Sequence, residues 1–105
     1  MKYIIPETQL DNIIFKYLDN QDFYRHEDGG GHYFFESERS YKNKQFPKIS
    51  YSFRSDDCFI SSSILTEVAE FFSLDLNTSL FIIAKWVENK LGVNIDYPYS
   101  DVGAD

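Results

Sequence analysis

Cysteine is nearly missing from this sequence. Cys58 is the only one, so no internal disulfide can form, and a reducing compartment is expected, either the cytoplasm or a particle assembled there. Prolines number three and glycines five, too few for a linker-rich or collagen-like chain. Long apolar runs are absent as well: nothing approaches the roughly 20 residues of a membrane span. Lys2 is followed by only Tyr3, Ile4 and Ile5 before Pro6, too short for the apolar core of a signal peptide. No Gly-x-Ser-x-Gly elbow, P-loop or other cofactor motif occurs. No cofactor is therefore expected, and no membrane partner.

Aromatic residues, by contrast, are plentiful. Ten Phe, eight Tyr and one Trp bring their share to 18% of 105 residues, within a hydrophobic fraction of 43% and a charged fraction of 26%. That balance is globular, and each buried ring removes a large area from water, so a short chain can fill one core. The expectation is one α+β domain over 1–99, with a flexible acidic tail over 100–105.

Periodicity supplies the elements. Leu10, Ile13, Ile14, Tyr17 and Leu18 recur at helical spacing, with Pro6 and Glu7 suited to a first turn, which predicts a helix over about 6–20. Tyr3 and Ile5 read as a short strand or a staple onto that helix. Residues 21–31, ending in three glycines, read as a connection. Strands are expected at 32–41, at 48–54, where Ile49, Tyr51 and Phe53 alternate with Ser50 and Ser52, and at 58–60. Ser61 to Ser63 offer caps for a helix through Ile64, Leu65, Val68 and Phe72. Asp75 or Asn77 opens a third, closed by Gly92. Val93, Ile95 and Tyr97 alternate as a last strand before Pro98. The predicted order is an N-terminal helix, a three-stranded antiparallel meander, a helical hairpin and a short C-terminal strand.

Charge is segregated along the chain. The net formal charge is −7, yet residues 39–54 carry Arg39, Lys42, Lys44, Lys48 and Arg54 and no acid. Read as a basic hairpin on an acidic body, this block is the candidate partner-binding site. The stretch Arg25-His26-Glu27-Asp28-Gly29-Gly30-Gly31-His32 holds both histidines, so His26, Glu27, Asp28 and His32, with Glu36 nearby, are the candidate metal ligands. Their spacing across a glycine run fits no familiar metal pattern, and a solvated polar loop is the plainer reading. Cys58, between apolar neighbours, reads as packing rather than as a nucleophile.

The opening Lys2-Tyr3-Ile4-Ile5-Pro6-Glu7-Thr8-Gln9-Leu10, running on through Phe15-Lys16-Tyr17-Leu18-Asp19-Asn20-Gln21, resembles that of short proteins encoded by large tailed phages, marine ones among them. Val68-Ala69-Glu70-Phe71-Phe72-Ser73-Leu74 and Lys85-Trp86-Val87-Glu88 resemble their C-terminal halves. The resemblance transfers no site and implies a viral context, a virion component or an accessory protein in an infected cell. The leading expectation is a non-enzymatic structural or interaction protein with a protein partner. The alternatives are nucleic-acid binding through 39–54 and a metal-dependent enzyme built on 26–32.

Overall fold

The computed structural model describes residues 7–101. Tyr3, Ile5 and Pro6, and positions 102–105 of the expected tail, lie outside the described residues. Helix α1 spans Glu7–Asp19; Ile14 and Leu18 on its inner stripe are fully buried. Strand β1 covers Tyr24–Asp28 and β2 Gly31–Phe35, followed by a five-residue helix α2 at Glu38–Lys42. Strands β3 and β4 are Ile49–Ser52 and Asp57–Ile60. Helices α3, Ser62–Phe72, and α4, Leu76–Leu91, lead to β5 at Tyr97–Tyr99. The chain is therefore α+β, with four helices and one mixed sheet in the order β1-β2-β3-β4-β5. The first three pairings are antiparallel and the last is parallel.

Local chemistry fixes the ends of the long helices. Ser61 Oγ accepts the Ser63 N–H at 3.3 Å, and the Asp75 carboxylate accepts the Thr78 N–H at 2.6 Å, each satisfying a donor that the first helical turn leaves unpaired. Gly92 closes α4 in the left-handed region at φ 67°, where a side chain is disfavoured. Asp101 accepts the Ser62 N–H at 2.8 Å, which fastens the end of the described chain to the start of α3.

The three long helices form one layer on one face of the sheet. α4 is the centre of it, touching α1, α3, β4 and β5. Ile83 and Val87 of α4 are fully buried, as are Ile49, Cys58 and Ile60 of the sheet; each of the larger aliphatic side chains contributes roughly 1.5–3 kcal/mol by leaving water. Trp86 lies in the same core with its ring 5.3 Å from that of Phe34 and 5.9 Å from that of Phe23. No helix among the described residues is long and apolar enough to cross a membrane.

Three expectations need correction. The connection expected over 21–31 contains β1, so the meander has four strands rather than three. β1 is polar on both sides and is held by its ladder to β2 rather than by burial. The strand expected over 32–41 stops at Phe35, because Ser37 caps α2 by accepting the Ser40 N–H at 3.1 Å. The last strand begins at Tyr97 instead of Val93. The Glu88 carboxylate takes the Ile95 N–H at 2.7 Å, and the Glu88 carbonyl takes the Val93 N–H, so the intervening segment belongs to the end of α4. Pro98 sits inside β5, which a sheet edge tolerates.

Candidate binding face of the sheet

Side chains alternate between the two faces of a strand, and directly paired residues share a face. The register puts Phe34, Ile49 and Ile60 in one cross-strand row, and Tyr51 and Cys58 in another. Both rows are buried under the helices. The opposite face then carries Tyr24 and His26 from β1, Tyr33 and Phe35 from β2, and Ser50 and Ser52 from β3. Phe59, Tyr97 and Tyr99 continue it through β4 and β5. Among the described residues its only cover is α2, which rests on β2.

The rings on this face stand in two groups. Tyr41 of α2 packs its ring 4.7 Å from His26 and 5.2 Å from both Tyr24 and Phe35. On the far side Phe59 meets Tyr99 at 5.5 Å, and Tyr99 meets Tyr97 at 6.0 Å. Between them runs β3, whose outward residues are the small hydroxyls Ser50 and Ser52. Ser50 floors an open hollow of about 570 Å³, walled by Phe46, Pro47 and Phe59, with Lys48 and Asp101 beside it. Ser52 floors a second of about 530 Å³, beside Tyr33, Phe53 and Arg54. Phe46 is 94% exposed.

The five cations predicted as a site do not share one hairpin. Residues 39–54 build α2, the loop after it, β3 and the start of the β3–β4 turn. Arg39 and Lys42 are exposed on α2, where Lys42 Nζ lies 3.4 Å from Glu38. Lys44 is exposed in the loop, in the left-handed region at φ 60°. Lys48 and Arg54 reach the two ends of the Ser50–Ser52 floor; Lys48 Nζ also donates to Ser63 Oγ at 2.8 Å. One continuous segment thus makes one wall, the floor and both charged ends of the groove. Phe53, predicted to face the core with Tyr51, is half exposed beyond the end of β3, its ring 5.2 Å from that of His32.

The four candidate metal ligands do not converge. Strand alternation sends His26 and Asp28 to the uncovered face and Glu27 and His32 to the other. His26 is held between Tyr41 and Tyr33. Asp28 Oδ1 accepts the N–H groups of Gly30 and Gly31 at 2.7 and 3.1 Å, closing the β1–β2 turn. His32 Nδ1 lies 4.0 Å from Glu27. Among the described residues no three His, Cys, Asp or Glu side chains are grouped to share a metal ion.

Two titrating groups report on the sheet. Burial pushes the Cys58 thiol up to about 12, with Glu88 adding to the effect, so the thiolate that would attack an electrophile is scarce at neutral pH. Burial, then the charge of Asp28, lifts the Tyr33 hydroxyl above its ordinary value, which keeps it a neutral donor beside the groove. The sequence reading missed the rings of Tyr24, Tyr33, Phe59 and Tyr99 as site residues. Phe59 was accessible by alternation, because its neighbours Cys58 and Ile60 take the core side. Compared with known proteins, the chain matches no family model, no curated protein and no solved structure.

Proposed function

We propose that this chain is a non-enzymatic binding module whose working surface is the uncovered face of its sheet. The observation that carries the reading is the exposed ring surface of Phe46, Tyr97 and Tyr99 along the Ser50–Ser52 groove, beside the ring cluster that α2 caps. Contiguous exposed apolar surface is rare on proteins that act alone and marks interaction sites. Tyrosine suits such a surface because its ring supplies area while its hydroxyl stays hydrated.

The edges of the sheet are poorer docking sites than its face. β1 carries Arg25, Glu27 and Asp28 along the edge, and β5 is three residues long with a central proline; both devices discourage strand addition. A partner therefore meets the face. The resemblance to phage-encoded proteins sets this binding in a virion or an infected cell.

Phe46 sits on the groove wall and Asn89 on the exposed side of α4, so they compare the two faces directly. Phe46→p-benzoylphenylalanine and Asn89→p-benzoylphenylalanine place the same photo-reactive group at each. On irradiation in extracts of the native source, position 46 is expected to yield an adduct that Phe59→Ala abolishes, and position 89 none. Adducts from position 89 and not from 46 would sink the reading.

A further inference from the structure

We infer that the groove along β3 takes single-stranded nucleic acid, with bases against its rings and the phosphate backbone near its cations. The inference rests on the face proposed above and names its occupant. Three observations converge on that chemistry.

Charge comes first. The segment that builds the groove, residues 39–54, has five cations and no carboxylate, although the whole chain is at −7. Of the acids on α3, Glu70 is exposed on the other side of the sheet, while Glu67 lines a hollow with Glu36, Ser63 and Lys48 at one end of the groove. At physiological salt the field of such an acid decays over about 8 Å, and the Arg54 end of the groove has no acid of α3 in its lining. Three carboxylates adjoin the groove: Asp28 closes the β1–β2 turn, Asp101 holds the Ser62 N–H, and Asp57 stands on the same face beside Tyr97, so the five cations of 39–54 still outnumber them.

Shape and chemistry of the walls come next. Phe46, Tyr33, Phe59 and Tyr99 offer ring surfaces on both sides of the floor, and every nucleobase has a π-face to set against them. A duplex hides those faces within its own stack, which selects the single strand. The floor is the third observation. Ser50 and Ser52 are short hydroxyl side chains, so a sugar-phosphate backbone can approach the sheet closely and find donors there. The extended floor, β3 at Ile49–Ser52, runs about 13 Å at the rise of a strand, enough to track a short run of nucleotides, with Lys48 just before it and Arg54 in the turn after it.

Fluorescence anisotropy with labelled dT and U oligonucleotides of about 12 nucleotides tests the inference. The intact chain is expected to bind at 20 mM salt and to lose affinity as salt rises, the log–log slope reporting about 0.7 per phosphate contacted. Phe59→Ala is expected to cost tenfold or more. Arg54→Glu, at an exposed turn position outside the core, is expected to weaken binding and flatten the salt slope by about one contact. Blunt duplexes of the same length are expected to bind at least tenfold more weakly. The inference is overturned if neither oligonucleotide binds at 20 mM salt, if Arg54→Glu binds as the parent does, or if the duplex binds as well. A protein adduct from position 46 together with no oligonucleotide binding would remove this inference and leave the binding face standing.

Discussion

Replacing Asp19 tests how the helical layer is pinned to the sheet. Its Oδ1 accepts the Trp86 indole N–H at 3.0 Å and lies 2.6 Å from Lys90 Nζ. Trp86 is only 4% exposed, so Asp19→Ala leaves a buried donor without its acceptor, a loss of about 1–3 kcal/mol. The ion pair adds little: both side chains are 40–45% exposed, and solvent screening keeps such pairs within about 0–1 kcal/mol. Two terms work against the loss. Asp19 is the last residue of α1, where a negative charge opposes the helix dipole by about 0.3–1 kcal/mol, and alanine is the better helix former by a few tenths. The small hollow of about 130 Å³ bounded by Trp86, Asp19 and Lys90 admits water to the freed indole, which holds the cost to the lower half of its range.

The net expectation for Asp19→Ala is a loss of about 1–2 kcal/mol, which lowers a urea midpoint by roughly 0.5–1 M at the slopes usual for small domains. Trp86 is the only tryptophan, so its fluorescence reports the transition directly. Asp19→Asn keeps an oxygen acceptor and is expected to cost less than about 0.5 kcal/mol, since losing the ion pair and relieving the dipole nearly cancel. Equal losses for the two variants, or none for Asp19→Ala, would refute the assignment to the indole bond. The pH dependence has a definite sign. The Lys90 hydrogen bond, then that of Trp86, hold the Asp19 carboxyl below its ordinary 3.8, against the opposing effect of burial. The unfolded chain therefore binds the proton first. The stabilisation is complete above about pH 4 and drains as pH falls through the folded value, so wild type and Asp19→Asn converge in acid.

Gly31→Ala is expected to destabilise the chain by about 1–3 kcal/mol, because a Cβ on Gly31 would overlap the Tyr51 carbonyl oxygen. The Ala substitution at Gly29, where the space is open, serves as the control in the same thermal melt, and equal effects would refute the close-approach argument. Cys58, fully buried and with its thiol pushed up to about 12, is expected to resist Ellman's reagent at pH 8 until urea opens the sheet. Prompt labelling in native buffer would contradict the burial.

The sequence made the amphipathic elements legible and hid those held by pairing or by distant rings. α1, α3 and α4 declare themselves through apolar spacing and through Ser61, Asp75 and Gly92 at their ends. β3 and β4 show because one face of each is buried. β1, Tyr24–Asp28, reads as a loop because an edge strand exposes both polar flanks. α2 is too short to announce itself by periodicity; Ser37 starts it, and Tyr41 anchors it on three rings contributed by β1 and β2. The site divides in the same way. The cations of 39–54 stand out as a block with no acid among them. The rings opposite them depend on strand register, and only the paired strands reveal which of eighteen Phe and Tyr residues stay outside the core.

β5 has a consequence for the order in which this surface assembles. The pairs β1–β2, β2–β3 and β3–β4 each join neighbours along the chain, while Asp57 meets Tyr97 forty residues further on, with α3 and α4 between them. Closing that span sacrifices more chain freedom before any contact repays it, so the parallel ladder forms after the antiparallel ones. During synthesis the block from β1 to β4 leaves the ribosome well before the last strand. The clustered rings of Tyr24, Tyr33 and Tyr41 can then be in place before Tyr97 and Tyr99 exist to face them. The groove matures from one side: its basic wall is early, and the tyrosines of its far wall arrive with the final strand.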